Sequence, residues 1–442
     1  MGLTKEDVLR LVRELDIQFI RLQFVDLLGV LKNVSITVDQ LERALAGEVM
    51  FDGSSVEGFV RIEESDMYLR PDPETFTIFP WRPRAGGVAR LICDVYLPDG
   101  TPFPGCPRQV LKRVLAEAEA LGYTVQVGPE IEFFLFHFRE DGRPSLNTHD
   151  RAGYFDLAPV DLGEDARREI VLTLKEMGYA IEASHHEVAP GQHEVDLKYV
   201  PALAAADLIT TFRIVVRTVA HRHGLHATFM PKPFSDQNGS GMHLNFSFFQ
   251  EGKNRFYDPA GKWELSRLCL SFIGGLLKYA PDFTALTNPT VNSYKRLVPG
   301  HEAPVYIAWA AGNRSPLVRV PVARGIDTRV ELRSPDPTCN PYLALAGVIA
   351  AGLKGVRGEI LPPPPVEENL YLLTPERRAQ MGIRDLPASL GEALALFRES
   401  ALVQEVMGNH IYRKFLELKE WEWQAYQREV HNWEIEQYLA RF

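Results

Sequence analysis

The sequence predicts an α+β fold in two parts, the larger built on an antiparallel sheet. Three observations carry this. Four segments alternate polar and apolar side chains with the period of two that a strand imposes: "EIEFFLF" at 130–136, "QHEVDLKY" at 192–199, "GMHLNFSFF" at 241–249 and "RVELRS" at 329–334. Segments 107–122, 162–178 and 201–223 predict helices among them. The chain of 442 residues, 45% of them apolar, is too long for one simple core, and the proline-rich "TPFPGCP" at 101–107 divides it near residue 103 into segments 1–103 and 104–442.

Taken in order, Thr4 and Asp7 predict a capped helix whose apolar stripe is Val8, Leu11, Val12 and Leu15. "FIRLQFVDLLGVLKNVSI" reads as two strands joined at a turn near Gly29, and "FDGSS" at 51–55 as a loop. "ARLICDVYLPDG" is a strand ending in a turn. Pro107 opens the next helix and Gly122 stops it. "LPPPP" at 361–365 is a stiff spacer, and the last fifty residues are mostly helical.

The formal net charge of -10 argues against a nucleic-acid surface, which is basic, and suits a protein that gathers divalent cations. No apolar run has transmembrane length, and the N-terminal segment lacks the apolar region of a signal peptide. Cys93, Cys106, Cys269 and Cys339 form no CxxC clip, which fits a reducing compartment. A soluble cytoplasmic protein is expected.

The polar faces of the four strands are unusual. A solvated face carries Lys, Thr and Ser; these carry Glu130 and Glu132, Glu194 and Asp196, His243 and Asn245, and Glu331 between Arg329 and Arg333. With Glu187 of "SHHEVAPGQHE" they make five glutamates and one histidine, a hard-oxygen set suited to Mg²⁺ or Mn²⁺ rather than zinc. "HRHGLH" at 221–226 sits at an apparent helix end and reads as a cap. The HExxH spacing of a zinc peptidase is missing.

Arg296, Arg314, Arg319, Arg324, Arg329 and Arg333 fall within 38 residues. Arginine forks beside divalent ions suggest phosphoryl transfer, yet no Walker loop is present. Metals and arginines would therefore have to hold any ATP. Glu302, held in a turn by Pro299–Gly300 and Pro304, is a candidate base or lid residue.

Seven motifs, "FDGSSVEGF", "VGPEIEFFLF", "HHEVAPGQHEVD", "NGSGMH", "KRLVPGHEAPVYIAW", "NRSPLVRVP" and "RVELRSPDPTCNPYLAL", occur in the order found in glutamine synthetases, and the chain resembles the bacterial type I enzymes, α subtype. The resemblance implies ATP-driven ligation of ammonia to glutamate through γ-glutamyl phosphate. It implies a small N-terminal β-grasp domain, a catalytic domain of the glutamine-synthetase and guanidino-kinase type, and a dodecamer of two hexameric rings with sites at subunit interfaces. Carried over by motif, Glu132, Glu187 and Glu194 hold one Mg²⁺ or Mn²⁺ ion; Glu130, His243 and Glu331 hold a second. Asn238, Gly239, Arg296 and Arg333 position glutamate, with Glu302 and Arg314 beside it. Arg314 and Arg319 face the phosphoryl group, while Glu182, Tyr199, Asn245, Ser247 and Arg329 contact the nucleotide. Asp52 deprotonates ammonium, serving a neighbour's site, and Glu302 closes over it. Arg61 matches the arginine tied to glutamine feedback, and a nitrogen-regulatory protein is a possible partner.

The sequence departs from the family at His301, where a tyrosine is usual, and at Gly312, where an arginine is frequent. Tyr371 matches a tyrosine adenylylated in the other subtype and is expected to be unmodified here. Two other readings stand beside the first: a γ-glutamyl ligase for a larger amine such as a polyamine or ethanolamine, and a regulatory or structural relative. Asp52, Glu302 and the complete ligand set favour ammonium ligation.

Overall fold

The computed structural model describes residues 2–59, 66–83 and 85–442. The N-terminal helix is Lys5–Glu14. Its capping box is formed as expected: the Asp7 amide donates to Thr4 Oγ1 (3.2 Å) and the Thr4 amide to Asp7 Oδ2 (3.0 Å). Val8 and Val12 bury its apolar stripe against a six-stranded sheet. Strands Ile17–Val25 and Leu31–Thr37 pair antiparallel across the turn at Gly29. Gly87–Tyr96 runs parallel to Ile17–Val25, and Asp66–Pro71 and Val49–Asp52 complete the order. Phe51 and Asp52, expected in a loop, instead end strand Val49–Asp52, because they pair with Asp66 and Met67 opposite.

The large sheet has twelve strands and is antiparallel except where Tyr306–Ala310 lies parallel to Pro316–Arg319, so it is mixed rather than wholly antiparallel. Its spine is the long strand Thr124–Phe138, flanked by Met242–Gln250 and Gln192–Leu197. Strand Val330–Leu332 pairs on the far side of Met242–Gln250, leaving Arg329 and Arg333 just outside the ladder that the alternation suggested.

The expected helices appear as Pro107–Ala120, Glu164–Glu176 and Ala202–Arg222. Two further helices, Arg267–Thr287 and Pro341–Arg357, are buried over most of their length. They touch backbone to backbone: a Cβ on Gly355 would lie 2.2 Å from the Ser271 carbonyl oxygen and 2.6 Å from Gly275 Cα, so only glycine permits the crossing. The chain closes on Leu390–Glu399, Ala401–Arg428 and Asn432–Tyr438. No helix among the described residues is long and apolar enough to cross a membrane.

A buried charge cluster joins the N-terminal sheet to the helices of the larger part. Arg108, 2% exposed, reaches Asp72 (2.7 Å), Asp94 (3.2 Å) and Asp207 (3.0 Å), and Tyr342 donates to Asp207 (2.6 Å). Burial opposes the Arg108 charge, but Asp207 and then Asp94 outweigh it and hold the guanidinium well above its usual range. Asn340 Nδ2 also donates to the carbonyls of Asp26 and Leu27 at 3.1 Å.

Candidate active site

Strand register builds the site. His243 lies opposite Glu130, Glu194 opposite Glu132 on one side and His185 on the other, and Glu331 opposite Asn245 and Arg319. Because opposed residues share a face, acidic side chains from three strands converge with His243 of a fourth, and with Glu187 just past strand Ile181–His186, on one cavity of about 680 Å³. Glu130, Glu132, Glu187, Glu194, His243 and Glu331 line it, as do Arg296, Arg314, Arg319, Arg329 and Arg333, with Asn238, Gly239 and Glu302.

The carboxylates are not equivalent. Burial opposes ionisation of Glu130, but hydrogen bonds and charge from His243 (3.0 Å) and a bond from Asn245 (3.0 Å) outweigh it and hold its pKa at about 2. Burial, then the nearby Glu187 charge, pushes Glu132 up to about 7, although the Gly241 amide (2.8 Å) and Gln192 Nε2 (2.9 Å) both donate to Oε2. Burial and neighbouring carboxylates also raise Glu194 and Asp196. Asp196 Oδ1 is buried without a hydrogen-bond partner. Glu331 is clamped by Arg319 on one oxygen (2.8 Å) and Arg333 on the other (3.1 Å).

A wall of crowded acids with too little positive charge fits divalent cations. Glu130, Glu194 and His243 group at ligand distances, as do His185, Glu187 and Glu194. His185 was missed in the sequence because it is the first of two adjacent histidines, and only the ladder shows that it, rather than His186, stands opposite Glu194. The site also gains Tyr154 and Phe155, stacked with ring centroids 4.0 Å apart and packed against His185. Only an aromatic pair after a glycine hinted at them. A third group, His149, Asp150, Asp161 and His193, is fully buried. There Arg167 Nη1 already lies 2.7 Å from Asp161 Oδ2 and 2.8 Å from His193 Nδ1, an internal cation where an ion would sit. Of the "HRHGLH" histidines, His221 is in the last turn of its helix and His223 caps it; neither they nor His226 join a ligand group among the described residues.

Backbone geometry sets the other groups. A Cβ on Gly239 would come within 2.2 Å of the Pro231 carbonyl oxygen, so the chain approaches itself too closely there for any side chain. Asn238 Nδ2 donates to Glu302 Oε2 (3.2 Å), and Glu302 has φ 57, a strained conformation for a non-glycine residue. Arg296 is buried and donates to the Ser334 carbonyl (2.7 Å) and the Arg333 carbonyl (3.1 Å). His301 lines the main cavity. Gly312 borders a second cavity of about 410 Å³ that also reaches Glu302 and Arg314.

Five predicted residues lie off the main cavity. Asn245 and Ser247 face Gly128 and Gln126, successive same-face steps beyond Glu130, and Asn245 Oδ1 accepts from Arg329 Nε (3.1 Å). Tyr199 packs against Gly128 and Phe249, and Glu182 is exposed on strand Ile181–His186. Asp52 is on the N-terminal sheet, its Oδ1 accepting from the Ser54 amide (2.8 Å) and hydroxyl (2.7 Å), which lower its pKa. Arg61 lies outside the described residues.

Comparison with known proteins agrees with this geometry. Residues 16–98 match the model of the glutamine synthetase β-grasp domain and residues 104–438 that of the glutamine synthetase catalytic domain. The chain is 58% identical over 439 residues to a glutamine synthetase of Clostridium saccharobutylicum, covering 99% of each. It is 55% identical over 446 residues to one of Thermus thermophilus, covering 100% of each. Among solved structures, a GmaS/ADP complex superposes with TM-score 0.89 at 32% identity, over 98% of this chain and 99% of that one. A cryoEM structure of the Plasmodium falciparum glutamine synthetase, at 24% identity and TM-score 0.88 over 99% of both chains, shares the fold.

Proposed function

The chain belongs to the glutamine synthetase family, and on that premise we propose how its cavity carries out the family reaction. The activity is ATP-dependent ligation of ammonia to glutamate. The observation that carries the assignment to this cavity is the meeting of a carboxylate-rich wall with five arginines in one space of about 680 Å³.

Divalent ions belong to the site, and Mg²⁺ is proposed, with Mn²⁺ as substitute; the oxygen-rich donors support this. Glu132, Glu187 and Glu194 would hold one ion and Glu130, His243 and Glu331 the other, supplying positive charge to the ATP phosphates. Asn245, Ser247, Tyr199, Glu182 and Arg329 receive the nucleotide beyond Glu130. Arg296, Arg333, Asn238 and Gly239 orient the glutamate carboxylates, the close backbone at Gly239 leaving room for them. Arg314 and Arg319 stabilise charge on the γ-phosphoryl group as the glutamate γ-carboxylate attacks it, forming γ-glutamyl phosphate and ADP. Glu302 and a neighbour's Asp52 hold ammonium; Asp52 takes its proton, ammonia attacks the acyl phosphate, and phosphate leaves.

Asp52 is exposed and does not line its own chain's cavity, which supports a shared site in a ring-shaped oligomer, proposed as a dodecamer of 1–103 and 104–442 domains. Arg61 is proposed to mediate glutamine feedback. The four cysteines are free and buried, in keeping with a reducing cytoplasm.

Phosphate release from Mg-ATP with glutamate tests the reading, comparing ammonium with methylamine, ethanolamine and putrescine. Release that needs glutamate and prefers ammonium is expected. Preference for a larger amine would instead make the enzyme a γ-glutamyl-amine ligase, with Gly312 and His301 the first positions to exchange.

A further inference from the structure

Glu302 stands on an exposed, strained turn, and among the described residues its one side-chain hydrogen bond, from Asn238 at 3.2 Å, is long. Such a carboxylate needs support from behind if it is to meet a small cation at a defined place. That support comes from residues 366–372, a stretch outside the catalytic motifs. Tyr371 Oη donates to the carbonyl of Ala303, the residue after Glu302, at 2.8 Å. The Tyr371 ring packs against Tyr306 with centroids 6.0 Å apart, and Tyr306 is itself held by the Arg378 guanidinium 4.3 Å from its ring. Burial pushes the Tyr371 hydroxyl up to about 12, so it remains a donor at working pH.

The same stretch grips the loop that carries Arg314. Glu367 accepts from the amides of Ala311 (2.8 Å) and Asn313 (3.3 Å). Asn313 Nδ2 returns bonds to the carbonyls of Val366 (3.2 Å) and Glu368 (2.6 Å), and the Leu370 amide donates to Ser315 Oγ (3.1 Å). One short segment therefore ties the turn bearing Glu302 to the loop bearing Arg314, across the cavity of about 410 Å³ that both border.

We infer that residues 366–372 form a strap that registers the ammonium-binding turn against the phosphoryl-binding loop, with Tyr371 as its positioning residue. The inference rests on the role given above to Glu302. Tyr371 touches no reacting atom; it sets where the Glu302 carboxylate stands. Losing its hydroxyl should weaken ammonium capture while leaving the nucleotide end of the cavity untouched.

The test is steady-state kinetics of the assembled wild-type enzyme, Tyr371→Phe and Glu302→Ala, with KM measured separately for ammonium and ATP. Phenylalanine keeps the ring against Tyr306, so the fold and melting temperature should be retained. Tyr371→Phe is expected to raise the ammonium KM about 5-fold, the scale of one lost neutral hydrogen bond, with the ATP KM unchanged within about 2-fold. An unchanged ammonium KM in Tyr371→Phe, with a large rise in Glu302→Ala, would overturn the strap and spare Glu302. No effect in Glu302→Ala would overturn the role of Glu302 itself. A parallel loss in both KM values and in melting temperature would reduce Tyr371 to a structural residue and also overturn the inference.

Discussion

Glu130 and Glu132 stand one residue apart on the same face, and the fold treats them differently. Glu130 has the His243 ring as a hydrogen-bond partner, whereas Glu132 takes amide donors. Its raised pKa has a measurable consequence. The metal-free folded protein keeps a proton on Glu132 up to about 7, whereas the unfolded chain releases it near 4.5. This contribution favours the fold below the unfolded value and is lost as pH rises through about 7, while a bound cation needs the proton gone. The melting-temperature increase produced by Mg²⁺ should therefore be larger at about pH 8 than at about pH 6; calorimetry showing equal increases would remove Glu132 from the ligand set. Glu331 offers a second test. Its removal deletes an ion ligand and leaves Arg319 and Arg333 without their shared partner. Glu331→Ala should lower turnover by roughly 100-fold at saturating Mg²⁺, read as phosphate release, and a near-normal rate would sink the assignment.

At the scale of elements, the alternation in four strands was readable because a half-buried strand must alternate. Which residues face one another was not, because register depends on the pairing partner. Only the ladder puts Glu194 between Glu132 and His185. The helices Arg267–Thr287 and Pro341–Arg357 have apolar residues on every side, so they lack the stripe that identifies a surface helix. Helix Pro107–Ala120 was legible from its proline start, but the role of Arg108 in it was not. Arg108 locks that helix to the N-terminal sheet through Asp72 and Asp94 and to helix Ala202–Arg222 through Asp207. Arg108→Ala strands three buried or half-buried carboxylates and should cost about 3–5 kcal/mol, seen as a lower urea midpoint. A midpoint equal to wild type would mean the cluster adds nothing to stability.

For the molecule as a whole, the decisive feature is the separation of Asp52 from the cavity it is proposed to serve. If sites are shared, two different lesions can complement each other. Subunits carrying Asp52→Ala keep an intact cavity, and subunits carrying Glu331→Ala keep an intact Asp52. Unfolding and reassembling an equal mixture should regain about a quarter of wild-type activity, the fraction of sites pairing one sound cavity with one sound neighbour. Mixed assemblies as inactive as either parent would show that each chain supplies its own acid.

The sequence by itself determined the chemistry: an acidic, arginine-rich catalytic set, its hard-oxygen character, the strands that carry it and the family to which its motifs belong. These are local properties, set by residue type and by alternation along a strand. The tertiary structure alone decided which carboxylate pairs with His243, that Glu331 is shared by two arginines, that His185 and Tyr154 join the site, and that Tyr371 reaches the turn of Glu302. Those depend on register and on contacts between residues distant in the chain, such as the 68 positions between Tyr371 and Ala303, and the local pattern of a segment does not encode its distant partner.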